Sequence, residues 1–80
     1  MYTLIDEPIA VGAVFFSGKI TPRYFVWKGE KHLIEDITYH WHSKAGESRI
    51  FHFAVTNKGS VYEISYNLNT SNWKLDKIHE

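Results

Sequence analysis

Phe51-His52-Phe53-Ala54-Val55-Thr56-Asn57-Lys58-Gly59-Ser60-Val61-Tyr62-Glu63-Ile64-Ser65-Tyr66 decides how this chain is read. Aromatic and branched residues alternate with polar or small ones on both sides of Lys58-Gly59, the period-two pattern of half-buried strands. Gly59 supplies the positive φ that a tight hairpin turn needs, so the two runs are expected to fold back as antiparallel neighbours. Register follows from requiring the two apolar faces to coincide, because a one-residue slip turns every core side chain outward. Counted from the turn, Val55 faces Tyr62, Phe53 faces Ile64 and Phe51 faces Tyr66.

The pattern continues in both directions. Downstream, pairing Asn67 with Asn72 sets Tyr66 against Trp73 and Ile64 against Leu75. Upstream, Lys28-Gly29-Glu30-Lys31 reads as a second tight turn, entered from the aromatic run Pro22-Arg23-Tyr24-Phe25-Val26-Trp27. No segment carries a helical period, and strands are expected at residues 9–16, 23–28, 31–42, 49–57, 60–67 and 72–79. Within the third, the apolar phase changes from Ile34 to Ile37, Tyr39 and Trp41 across Glu35-Asp36, which predicts a β-bulge there. The expected fold is all-β: a single small antiparallel meander of about six strands, curled as a half-barrel or closed into a small barrel. Residues 1–80 form one domain in this reading, with residues 1–8 as an extended N-terminal arm. Trp27, Tyr39, Trp41, Phe51, Phe53, Ile64 and Trp73 form its inward face, and an open sheet leaves residues 9–16 or 72–79 as an edge.

Eighty residues bury only about 60% of the unfolded surface, so the core has to be dense. Three Trp, five Tyr and five Phe meet that need. With no cysteine, disulfides and thiolate metal ligands are excluded, and a cytoplasmic location is the expectation. Nine basic and nine acidic residues cancel, so no global field draws in a polyanion or an anionic membrane. The N-terminal residues lack the basic and apolar regions of a secretory leader, and the longest apolar run, from Ala13 to Phe16, is far too short to cross a bilayer as a helix.

The series Pro22-x-x-Phe25-x-Trp27-x-Gly29, residues 34–41, His52-Phe53-x-Val55, Val61-Tyr62-Glu63-Ile64 and Leu68-x-Thr70-x-x-Trp73-x-Leu75-x-x-Ile78 resembles a small bacterial all-β domain family of unknown function. Members of that family occur alone or at the C-terminus of Y-family DNA-polymerase-like proteins. The resemblance spans most of the chain from Pro8 onward and rests on core aromatics, which identify a fold better than a function. It implies a DNA-repair setting and no catalytic residue. The family is rich in Arg, whereas this chain has only Arg23 and Arg49.

Four constellations compete for a role. With Tyr39 and Trp41 inward, His40 and His42 project together from the other face, and opposing Trp41 to Phe51 brings His52 beside His40, a possible divalent-metal set. Against it stands the plainer reading of surface histidines. Glu35-Asp36 and Glu63 are acid–base candidates, but no second carboxylate in a cleft accompanies them, and neither a nucleophile elbow nor a phosphate-binding Gly loop is visible. Lys19, Arg23, Lys28 and Lys31 gather around Tyr24, a mixture of cations and π-faces suited to single-stranded nucleic acid. Tyr24, Val26 and Ile50 fall on the phase opposite the core and are candidate interface residues. The expected function is therefore a non-enzymatic interaction module that needs no cofactor and self-associates as a homodimer, or meets a protein partner, through a sheet face or edge strand. The alternative is an accessory nucleic-acid-binding domain, and the third reading is metal binding through the histidines.

Overall fold

The computed structural model describes residues 1–79 as seven strands: β1 (Tyr2–Phe16), β2 (Lys19–Trp27), β3 (Glu30–Leu33), β4 (Asp36–Ala45), β5 (Ser48–Asn57), β6 (Ser60–Asn67) and β7 (Asn72–His79). All pairings are antiparallel, and the strands lie in the order β3-β2-β1-β7-β6-β5-β4 in one sheet curled into a half-barrel. That order puts β3 and β4, consecutive in the chain, at opposite ends of the sheet. The sheet therefore curls until its ends meet at Ile34 and Glu35. Ile34 N–H donates to the Arg23 carbonyl of β2, and Glu35 N–H donates to the Thr56 carbonyl of β5, both at 2.9 Å. Buried Asn57 reinforces the corner, its amide donating to the Leu33 carbonyl at 2.8 Å.

Three connections are two-residue turns with both φ angles positive: Ser17-Gly18, Lys28-Gly29 and Lys58-Gly59. This is the turn geometry whose twist matches flanking strands, and it fixes the register of each hairpin. Around the last of them, Val55 pairs with Tyr62, Phe53 with Ile64 and Phe51 with Tyr66, as the apolar pattern requires. The β6–β7 register also follows the sequence, with Tyr66 opposite Trp73 and Asn67 opposite Asn72.

The first strand is longer than the alternation suggests. The residues expected as an arm are part of β1, whose residues 2–9 pair with β7 while residues 10–16 pair with β2. One strand serves two neighbours because it bends, with Asp6 at φ 52° where the β7 register slips and a second slip at Gly12/Ala13. At Gly12 a Cβ would collide with the Tyr24 ring, so only glycine lets that ring lie across the strand. The loop expected at residues 17–22 is mostly strand, because Ser17-Gly18 alone makes the turn and β2 starts at Lys19.

Residues expected as one strand at 31–42 form two. The chain breaks at Ile34 and Glu35, and the bulge in β4 falls later, at Thr38, which has no partner between the Ile37–Val55 and Tyr39–Ala54 pairs. This extra residue reverses the faces: Ile37 points inward, whereas Tyr39 lies outward at 65% exposure and Trp41 lies beside it, ring centroids 5.4 Å apart. Tyr39 and Trp41 are therefore not core residues. The core is Phe25, Phe53, Val55, Ile64 and Leu75, with Trp27, Ile37, Phe51 and Trp73 packed against it. Each of the fully buried side chains contributes about 1.5–3 kcal/mol of hydrophobic stabilisation. Strand β7, expected as a possible edge, is flanked by β1 and β6.

Candidate functional site

The three histidines nominated as a metal set do not share a face. His40 pairs with Phe53 and His42 with Phe51 on the concave side, whereas His52 pairs with Trp41 on the convex side. The one-residue difference from the expected register comes from the Thr38 bulge, which the apolar pattern alone had placed two or three residues earlier. His52 lies flat against Trp41, centroids 4.9 Å apart and planes 4° apart. Among the described residues no group of three His, Asp or Glu side chains has metal-binding geometry.

The convex face instead carries a polar row across β4, β5, β6 and β7. Ser43 Oγ and His52 Nε2 are 2.8 Å apart, and Asp76 bonds the buried Ser65 that lies beside His52 in the next strand. Burial holds the Asp76 carboxyl above the usual range, an effect partly offset by its Ser65 hydrogen bond and the nearby His52 and Lys74. Burial also lowers the His52 imidazole, against the pull of Asp76 and Glu63. A hydrogen bond from Lys74 to Asp6 raises that ammonium. Ser43, His52 and Asp76 are the residue types of a hydrolytic triad, but the Asp76 carboxylate is hydrogen-bonded to Ser65 and acts on His52 only through its charge, so the three are not linked as a relay. Glu63 belongs to a separate pair, Oε2 lying 2.5 Å from His79 Nε2.

The basic segment nominated for nucleic acid is spread over the molecule. Lys31 sits over the Tyr24 ring at 4.3 Å and Lys28 over Trp27 at 4.9 Å, while Lys19 lies at the opposite end of β2. Arg23 is exposed at the slip in the β1–β2 register. The interface candidates Tyr24, Val26 and Ile50 are each half-buried. Tyr24 owes this to its seat on Gly12. The acid–base candidate Glu35 accepts from Lys58 N–H at 3.1 Å, a structural contact that ties the sheet corner to a turn.

The surface that stands out is the tip of the β1–β2 hairpin. Val14, Phe15 and Phe16 are 44%, 55% and 74% exposed in succession. Past Ile9, β1 leaves β7, so residues 10–16 have a strand on one side only. Comparison with protein-family models, curated proteins and solved structures finds no match to this chain. On the other side of the hairpin a groove separates the start of β2 from β4 and β5, lined by Lys19, Ile20, Ile37, His40, Phe51 and Phe53. It continues past Phe51 into a second hollow beside His42, Lys44 and Arg49. Of the two edges the sequence offers, residues 9–16 and 72–79, the one-sided segment lies in the first, at residues 10–16. Its sequence signal is a run of eight residues at 9–16 without a charge or proline.

Proposed function

We propose that this domain is a non-enzymatic interaction module that self-associates through the free edge of β1. The supporting observation is the combination of a one-sided strand at residues 10–16 with three consecutive exposed apolar side chains and no protecting charge. Exposed edges are ordinarily blunted by Lys, Pro or a covering element, because their unpaired N–H and C=O groups recruit another strand. Antiparallel pairing of two copies about Ala13 sets Phe15 against Val11 and Phe16 against Ala10, each large side chain opposite a smaller one. A twofold contact of this kind is closed and uses both exposed edges at once. The family resemblance goes with the alternative, an accessory nucleic-acid-binding domain in a DNA-repair setting, and supplies no reacting residue.

Sedimentation velocity across a concentration series tests it. A dimer at micromolar concentration is expected, shifting to monomer in Val14→Lys with the melting temperature little changed. If Ile50→Lys dissolves the dimer and Val14→Lys does not, the convex face is the interface. A monomer at every concentration removes self-association.

A further inference from the structure

The groove on the β2 side of the hairpin carries a second and independent inference. Its two adjoining hollows measure about 390 and 370 Å³ and share Phe51. Each falls within the roughly 300–1,000 Å³ typical of small-molecule sites. The walls divide by chemistry. Ile20, Ile37, Phe51 and Phe53 supply an apolar floor, while the polar rim is made of Lys19, Thr21, His40, His42, Lys44 and Arg49. Among the described residues no carboxylate lines either hollow, although the chain has as many acidic as basic residues.

The strongest sign is at the β4–β5 end. Lys44 and Arg49 are direct cross-strand partners, a placement in which like charges destabilise a sheet. Neither is in an ion pair among the described residues, and Glu47 in the turn between them pairs with neither. An anion seated between them would remove the repulsion and gain charge-assisted hydrogen bonds from both. The rest of the groove asks for an apolar body attached to that anion. Stacked bases do not fit the description, because Phe53 is only 6% exposed and Phe51 is half-buried with His42 edge-on to it, so no aromatic platform stands clear.

We propose that this groove binds a free amphipathic carboxylate, its chain laid over Ile20, Ile37, Phe51 and Phe53 and its head held between Lys44 and Arg49. The site opens on the opposite side of the hairpin from the free edge of β1, so it stands or falls separately from self-association. Calorimetric titration with dodecanoate, below its micelle concentration, is the test, run beside dodecyltrimethylammonium, acetate, anionic phosphatidylglycerol vesicles and a twelve-nucleotide oligothymidylate. Saturable one-to-one binding of dodecanoate is expected, at least about tenfold tighter than the cation of equal chain length, with none for acetate. The double substitution Lys44→Gln and Arg49→Gln, both on exposed side chains, is expected to weaken dodecanoate about tenfold without lowering the melting temperature, since it also removes the cross-strand repulsion. Equal binding of the two amphiphiles, an unchanged affinity in the double variant, or tighter binding of vesicles or oligonucleotide would overturn the proposal.

Discussion

The β5–β6–β7 meander and the β1–β2 hairpin tip are built from similar residues and end up opposite in character. In the meander, Phe53, Val55, Ile64 and Leu75 are at most 6% exposed; at the tip, Val14, Phe15 and Phe16 reach 44–74%. Composition does not separate them, since both are runs of branched and aromatic residues. The number of neighbouring strands does. Strands β5, β6 and β7 each have a partner on both sides, whereas β1 past Ile9 has only β2. Apolar side chains are buried where the sheet surrounds them, and the same side chains become a contact surface where it stops.

Truncation breaks the comparison most sharply. Phe53→Ala removes a core ring and is expected to cost about 3–5 kcal/mol, enough to unfold much of a domain this small. Phe16→Ala, chemically the same change, is expected to stay within about 0.5 kcal/mol. Urea denaturation of the two variants in dilute solution measures both, and equal losses would mean that the tip is packed as tightly as the meander.

The next largest effect tests the bend that separates the two regions. Gly12→Val places side-chain atoms where the Tyr24 ring lies and is expected to cost about 1–3 kcal/mol by overpacking. The double change Gly12→Val with Tyr24→Ala is expected to recover part of that loss. Additive losses in the double variant would show that the ring is not what makes residue 12 sensitive.

How much of this was legible in the sequence follows the same division. The meander could be read because Lys58-Gly59 fixes one register, the apolar faces fix the next, and its core pairs leave no alternative phase. Strand β4 was misread because Thr38 is an unremarkable residue at which the ladder slips, and a slip reverses every later side chain. Tyr39 and Trp41 thereby exchanged faces with His40 and His42, which dissolved the histidine set. The N-terminal residues were read as an arm because Asp6, Glu7 and Pro8 interrupt the alternation, although Asp6 marks a bend inside a continuous strand. The groove was invisible, since Lys19 and the Lys44–Arg49 pair are brought to one cavity wall only by the curl of the sheet.

A smaller effect concerns pH and the convex row. The folded protein lowers the His52 pKa below 6.5, so the unfolded chain binds more protons just below that value, and stability falls as the pH drops through this window. Asp76 has the opposite sign: its raised folded pKa makes acidification favourable in the carboxylate range above 3.8. The melting temperature is therefore expected to decline from pH 7 into the region below 6.5 and to decline less in His52→Gln. Identical profiles for the two proteins would assign the pH dependence to other groups.

Hydrogen exchange tests most directly whether the tip is an open edge that a second copy completes. Amides along residues 10–16 that face away from β2 are expected to exchange fast in dilute protein and to become protected as the concentration rises into the dimer range, whereas amides of β6 stay protected throughout. Protection of residues 10–16 equal to that of β6 at every concentration would contradict the account, because it would mean that the edge is already covered within a single chain.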